Sequence, residues 1–402
     1  MFWQLRLENL AARLSLHDIP VRIALWNGQR FDLGRSIKVM IHARTPAGLR
    51  QLVHPSLDAL GSAYVEGHLD VEGELGDVFD VAAGLARHAV KPAGRFGRIV
   101  HTINHTKKLD ADAIAYHYDV SNDFYRAWLD ENMVYSCAYF KGFDDSLEQA
   151  QLQKLDHVLT KIRLQPGQHL LDIGCGWGAL IMRAAQKYGV RATGITLSRQ
   201  QCELAQERIA AAGLADRCEV HLADYRDMSG KFDRITSIGM FEHVGLKNLP
   251  GYFAKIRSLL TDDGIVLNHG ITSTDPESGQ VAWGGGDFID RYVFPHGELP
   301  HISLALREMS AAGLEATDVE GLRRHYALTL KHWAQRYEQA SEKIRTLVDE
   351  RRYRIWRMYL AGCAYAFDHA WTSIYQILAV RADRPDVGRL PLTRDYMYRE
   401  TS

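Results

Sequence analysis

With 402 residues, 46% of them apolar, the chain has material for two or three domains and for a full core in each. A formal net charge of −1 argues against a nucleic-acid protein, for which a clearly basic domain is expected, and no apolar run approaches the roughly 20 residues that cross a bilayer. The opening Met1-Phe2-Trp3-Gln4-Leu5-Arg6 lacks the form of a secretory signal, and the five cysteines are scattered without a C-x-x-C pair, so the reading is a cytoplasmic protein with reduced thiols, no disulfide framework and no zinc site.

Residues 1–83 read as a small α+β domain. Leu7, Leu10 and Leu14 stand at helical spacing, and Ile37-Lys38-Val39-Met40-Ile41 looks like a short strand. Residues 63–73 alternate apolar and polar around turn glycines, which is a structural pattern first. Residues 81–109 then carry Arg87, Lys91, Arg95, Arg98, Lys107 and Lys108 without a single acid. This stretch sets a basic linker at 84–110. With Leu85, Phe96, Ile99 and Val100 interleaved, it reads equally as a solvated connector or as a segment resting on anionic headgroups.

Residues 111–402 form the catalytic domain in this reading. It opens with two aromatic patches, Tyr116-His117-Tyr118-Asp119 running on to Phe124-Tyr125, and Val134-Tyr135-Ser136-Cys137-Ala138-Tyr139-Phe140. Core packing and a lid over an apolar substrate both account for them, and the sequence leaves both open.

The apolar run Leu170-Leu171-Asp172-Ile173 ends in Gly174, Gly176 and Gly178, followed by the helical Ala179-Leu180-Ile181-Met182. A strand turns into a helix there through residues whose missing Cβ atoms let a nucleoside cofactor approach the backbone. Strand-like and helix-like segments alternate afterwards, at 190–195, 198–212, 219–222, 232–238, 249–260 and 265–269. The expected fold is therefore a doubly wound, Rossmann-like α/β sheet with its ligand at the carboxyl ends of the strands, beside Asp172, Thr196, Asp224, Glu242 and His269. Where a nicotinamide enzyme would carry an acid for the ribose, this chain has Thr196, with Gln201 one turn later. That favours S-adenosylmethionine as the cofactor. Glu242 follows a strand at the reactive edge, and His269 follows the next. Residues 271–301, rich in glycine and aromatics and including Trp283-Gly284-Gly285-Gly286, are long enough to cover a site. Residues 326–367 read as two helices, and the polar tail 381–402 has no assignable role.

Several motifs together resemble the cyclopropane-fatty-acyl-phospholipid synthase family, which includes the mycolic-acid cyclopropane synthases. They are His117-Tyr118-Asp119, Tyr135-Ser136-Cys137-Ala138-Tyr139, the glycine loop, Thr196-Leu197-Ser198, Phe241-Glu242-His243, Arg291-Tyr292-Val293-Phe294-Pro295, His325-Tyr326 and Tyr359-Leu360-Ala361-Gly362-Cys363-Ala364. The resemblance implies transfer of a methylene, derived from the methyl of S-adenosylmethionine, across a cis double bond in an acyl chain of an unsaturated membrane phospholipid. It implies cofactor contacts at Tyr135, Ser136, the loop with Asp172, Gly174, Gly176 and Gly178, Thr196, Gln201, Tyr225 and Arg226. It also implies a bicarbonate ion held by Cys137, Glu242, His269, Ile271 and Tyr326, and a protein peripheral to the inner face of a membrane, with a homodimer admitted.

The chemistry agrees. Alkene attack on a sulfonium methyl leaves a carbocation that aromatic faces stabilise and a positioned base must deprotonate. Cys363 has been nominated as catalytic in the family, yet no covalent nucleophile is required, so a buried structural thiol is the expected state. The rival products are a methyl branch or a methylene group on the same lipid. More distant rivals are an N-methyltransferase for a small amine and a non-catalytic lipid-binding protein.

Overall fold

Two sheets organise the chain in this computed structural model, which describes residues 8, 9, 12, 17–89, 120–276, 285–294, 297–384 and 390–398. Leu7, Leu10, Leu14, the basic stretch from Lys91 onward, His117-Tyr118-Asp119, Trp283-Gly284 and Pro295 lie outside the described residues. In the N-terminal region β1 (Val21–Leu25), β2 (Arg30–Asp32) and β3 (Val39–Ala43) are followed by α1 (Pro46–Val53), α2 (Leu57–Val65), β4 (Leu69–Glu72) and α3 (Leu75–Ala89). Val21, Ile23 and Leu25 pack with Val39, Ile41 and Ala43 because alternate residues of a strand share one face. Thr45 and Ser56 begin α1 and α2 by accepting from the Gly48 and Ala59 amides at 3.3 and 3.1 Å. The alternating stretch 63–73 is thus the end of a helix, a turn and β4. Helix α3 carries straight through residue 83, so the expected linker boundary falls inside an element.

The second part contains α4 (Asn122–Arg126), α5 (Leu147–Lys161), β5 (His169–Ile173), α6 (Ala179–Tyr188), β6 (Arg191–Thr196), α7 (Arg199–Ala211), β7 (Cys218–Leu222), β8 (Phe232–Ile238), α8 (Leu249–Leu259) and β9 (Leu260–Ser273). After them come α9 (Gly285–Tyr292), α10 (Ile302–Ala311), β10 (Leu314–Gly321), α11 (Arg323–Gln339), α12 (Ser341–Leu347), α13 (Glu350–Asp368) and β11 (Thr372–Arg381). The sheet order is β10-β11-β9-β8-β5-β6-β7, parallel from β9 to β7, with β11 antiparallel to both of its neighbours. The chain winds one way from β5 and then the other, which opens a crevice at the carboxyl end of β5.

The expected α/β sheet is present, and three details differ from expectation. The strand expected at 265–269 runs from 260 to 273, two further strands follow it, and residues 326–367 span three helices rather than two. β10 reads Leu-Glu-Ala-Thr-Asp-Val-Glu-Gly, too polar to announce itself, and is ordered by pairing with the buried β11. The aromatic patches divide: Phe124, Tyr125 and Trp128 are core, packed with Trp333, Tyr337 and Trp356, while Tyr135 is half-exposed. Among the described residues, no helix is long and apolar enough to cross a membrane.

Candidate active site

The cleft begins where β5 ends. The Gly174 and Cys175 amides both donate to the Ile195 carbonyl at 2.9 Å, which folds the chain back sharply with Gly174 at φ 82°. Any side chain at that position is strained. Helix α6 then starts at Gly178 with no side-chain cap, so its first amides remain available to a ligand. The resulting cleft encloses about 970 Å³ of atom-free space, mouth included. Tyr135, Ser136, Asp172, Gly174, Gly176, Thr196, Gln201 and Tyr225, all expected from sequence, line it. Thr196 donates to the Gln201 side chain at 2.8 Å, which fixes both on one wall. Two expected residues are placed differently: Arg226 turns its guanidinium onto Asp224 at 2.6 Å, and Gly178 faces α7, where an added Cβ would stand 3.3 Å from Ala205.

Sequence reasoning missed Lys154. Its ammonium lies buried at the cleft floor and donates to the Ser136 hydroxyl at 3.0 Å. Burial lowers its pKa to about 8, against the pull of Asp130, Cys137 and Asp172. Asp172 is pushed up to about 6 by the same burial, although the Thr236 hydroxyl at 2.7 Å and Lys154 oppose the shift. A signal was available: positions 147, 151, 154, 158 and 161 form the buried stripe of α5, and three of them are Gln151, Lys154 and Lys161. Polar residues on such a stripe require partners.

A second cluster adjoins the cleft. Gly270 lies between His269 and Ile271 on β9, and a Cβ there would fall inside the Phe241 ring. The missing side chain lets the turn after β8 settle onto β9. Glu242 consequently reaches the strand and accepts from the Ile271 amide at 2.6 Å. His269 stands two residues before Ile271 on the same strand, so the Glu242 carboxylate and the His269 ring are both tied to one short stretch of β9. Both are buried, and Glu242 Oε2 and His269 Nε2 have no hydrogen-bond partner among the described residues. Burial raises the Glu242 carboxyl to about 7, with only backbone amides opposing, and drives the His269 imidazolium well below its ordinary value with help from Lys154 and Lys161.

Tyr326 completes the group. Its phenol is pushed up by burial, with Tyr359, Cys137, Cys363 and Glu242 adding to the shift, which puts Cys137, Glu242 and Cys363 of the expected catalytic residues within electrostatic reach of Tyr326. The Cys137 thiol donates to the Ala138 carbonyl at 3.3 Å and is held protonated by burial. Burial likewise pushes Cys363 up to about 12 despite its hydrogen bond with Tyr359. A thiol at that level is no nucleophile at neutral pH. Tyr135 donates to the Tyr359 hydroxyl at 3.3 Å, and Tyr359 packs on Trp356 and Phe294, so an aromatic wall runs from the cleft to this cluster.

Comparison with known proteins agrees with the geometry. The family described as mycolic acid cyclopropane synthetase matches residues 105–377, and a domain of unknown function matches residues 12–92. A probable fatty acid methyltransferase of Pseudomonas putida is 48% identical over 96% of this chain and 98% of its own length. The tuberculostearic acid methyltransferase UfaA1 of Mycobacterium tuberculosis is 34% identical over 94% of this chain and 92% of its own. Among solved structures, mycolic acid cyclopropane synthase CmaA1 complexed with SAH and CTAB is 38% identical, with a TM-score of 0.64 over 67% of this chain and 97% of that one.

Proposed function

The chain belongs to the mycolic acid cyclopropane synthetase family and is an S-adenosylmethionine-dependent methyltransferase of the cyclopropane and fatty-acid class, and from that premise we propose that it cyclopropanates unsaturated acyl chains of membrane phospholipids with the aid of bound bicarbonate. The observation that carries the bicarbonate reading is the pair of buried, unpartnered atoms Glu242 Oε2 and His269 Nε2. Unpaired buried polar groups are costly, so these two atoms fit a small polar ligand that bonds both.

Tyr135, Ser136, the Gly174–Gly178 loop, Thr196 and Gln201 would hold the cofactor. The amide of Cys137, with His269, Tyr326 and Glu242, would hold the ion, while the Ile271 amide, which donates to Glu242, would orient that carboxylate. When bound there, S-adenosylmethionine supplies an electrophilic methyl and bicarbonate a proton acceptor. The residues around the cluster would have to hold an acyl double bond in line with that methyl and keep the ion within reach of the proton whose loss would close a three-membered ring. Tyr359 and Phe294 line the path with aromatic faces that favour a developing cation and exclude water. Glu242 must offer an acceptor to the ion's hydroxyl, which requires its ionised form. Cys363, protonated and packed under Tyr359, has no step to perform.

A second product is favoured by one observation: of the two near-full-length relatives above, one is named a probable fatty acid methyltransferase and the other a tuberculostearic acid methyltransferase, and neither a cyclopropane synthase. A 1,2-hydride shift in the same cation followed by loss of a proton from the added methyl gives a methylene, and a methyl branch requires a separate hydride donor to reduce it. Incubation with labelled S-adenosylmethionine and unsaturated phospholipid vesicles, followed by mass spectrometry of the acyl chains, separates these outcomes. A cyclopropane ring supports the first reading and a methylene or methyl branch the second. Label on a small amine alone removes both.

A further inference from the structure

Strand β11 sets Gln376 directly opposite His269 of β9, and both side chains are fully buried. The Gln376 amide nitrogen stands 3.4 Å from His269 Nδ1, and its carbonyl oxygen lies 3.2 Å from the ammonium of Lys161. An amide has two ends that differ only in what they bond, and Lys161 decides between them. An ammonium donates and never accepts, so the carbonyl must face Lys161 and the N–H must face the imidazole. Were Nδ1 to carry the ring proton, two N–H groups would point at each other across the strand pair. We infer that Gln376 is a positioning residue that, oriented by Lys161, holds His269 as the tautomer protonated at Nε2 and so aims an N–H into the active site.

The relay is anchored at its far end. Lys161 is fully buried and lies 2.7 Å from Glu320 and 3.0 Å from Asp318. Glu320 also lies 2.9 Å from His157 Nε2; burial opposes its ionisation, but His157 and Lys161 together hold it at about 2. Asp318 is in turn gripped by Arg394, and the Tyr396 hydroxyl donates to the Lys161 carbonyl at 3.1 Å. The tail that the sequence left without a role therefore supports the relay. The charged and titratable groups acting on the ring are Lys154, Lys161, His157 and Glu320, and burial with the two lysines keeps it neutral. A neutral ring protonated at Nε2 donates to a ligand and takes no proton from it. His269 is therefore a donor and the reaction's proton acceptor lies elsewhere. The tautomer stands on geometry alone, whereas the identity of the ligand as bicarbonate rests on the function proposed above.

The test is two-bond 1H–15N correlation NMR of the full chain labelled at histidine, with His269→Gln identifying the ring's signals. At pH 7 the unmodified protein should show Nε2 protonated and Nδ1 bare. Gln376→Glu, whose ionised carboxylate accepts from both Lys161 and the ring, should move the proton to Nδ1. Gln376→Leu should lower turnover by about 10² or more, as loss of the correct tautomer does in other enzymes, with the KM for S-adenosylmethionine unchanged. A proton on Nδ1 or on both nitrogens in the unmodified protein overturns the inference, and so does unchanged turnover in Gln376→Leu. If Nε2 proves protonated but turnover is independent of bicarbonate, the relay stands and the bicarbonate reading fails.

Discussion

Glu242 is a carboxylate held where it does not ionise easily. Its folded pKa of about 7 lies above the ordinary 4.5, because burial outweighs the Ile271 amide. The protonated form is thus favoured by folding: its contribution to stability is complete below pH 4.5 and is lost as pH rises through about 7. A shift of that size corresponds to about 3 kcal/mol. Glu242→Gln, which never ionises, should be as stable as the parent at pH 4 and more stable by about that amount at pH 8, read from denaturant unfolding at the two pH values. In the same variant an amide cannot serve as the acceptor, so turnover should fall on the order of 10² to 10⁴ while S-adenosylmethionine affinity is kept. Equal stability at pH 8 would show that the carboxyl is not strained in the fold, and near-normal turnover would remove it from the mechanism. In the parent, the acid limb of the rate profile should rise with pH through about 7. Lys154 is the complementary case. Its buried ammonium at the cleft floor suits the carboxylate of the cofactor's amino-acid portion, so Lys154→Met should weaken S-adenosylmethionine binding by about tenfold or more, as loss of a hydrogen bond to a charged group does. Calorimetry giving unchanged affinity would leave Lys154 a structural partner of Ser136.

At the scale of elements, the site depends on one close approach, that of the Phe241 turn to β9 over Gly270. Gly270→Ala should lift Phe241 and break the 2.6 Å contact between Glu242 and the Ile271 amide. Turnover should collapse with little change in cofactor affinity, since the cleft at β5 lies on the other side of β8. A fully active Gly270→Ala enzyme would mean that the Glu242–Ile271 contact is dispensable. These elements also explain what the sequence made legible. Leu170 to Gly178 announces a strand, a tight turn and a helix within nine residues, because glycine spacing and apolar runs are local properties. Asp172, Gly174, Gly176, Thr196 and Gln201 were readable for the same reason, since they lie at or just after strand ends, whereas Tyr135, Ser136 and Tyr225 came from resemblance. The buried stripe of α5 marks Lys154 and Lys161 as residues that need partners, but their partners and the role of Gln376 were not readable, because those contacts span as many as 215 residues and no local pattern encodes them. The grouping of Cys137, Glu242, His269, Ile271 and Tyr326 came from resemblance, not from spacing. The polar β10 escaped notice because its order comes from β11.

The whole molecule joins its two parts through α13. Arg354 donates to the Tyr64 carbonyl at 2.9 Å, Arg357 to the Tyr64 hydroxyl at 2.9 Å, and Tyr365 to Asp80 at 3.0 Å. The N-terminal region is therefore docked on the same helix that carries Tyr359 and Cys363 into the active site. An enzyme acting on acyl chains must meet them where they are packed, and a docked module beside the site suits that task better than it suits a small soluble amine. The acid-free stretch 81–109 follows directly from that module, with six Lys and Arg residues and interleaved apolar ones. Each basic residue near an anionic surface contributes about 1 kcal/mol, and the attraction is screened within a Debye length of about 10 Å at 0.1 M salt. We therefore expect the full chain to sediment with vesicles containing anionic phospholipid at low ionic strength and to be released as salt is raised. Replacing Arg87, Lys91, Arg95 and Arg98 with Gln should lower the vesicle-bound fraction while leaving S-adenosylmethionine affinity unchanged, because the described lining of the cofactor cleft is drawn from residues 133–243. The same sedimentation before and after replacement would reduce the stretch to a connector and assign membrane contact to another surface.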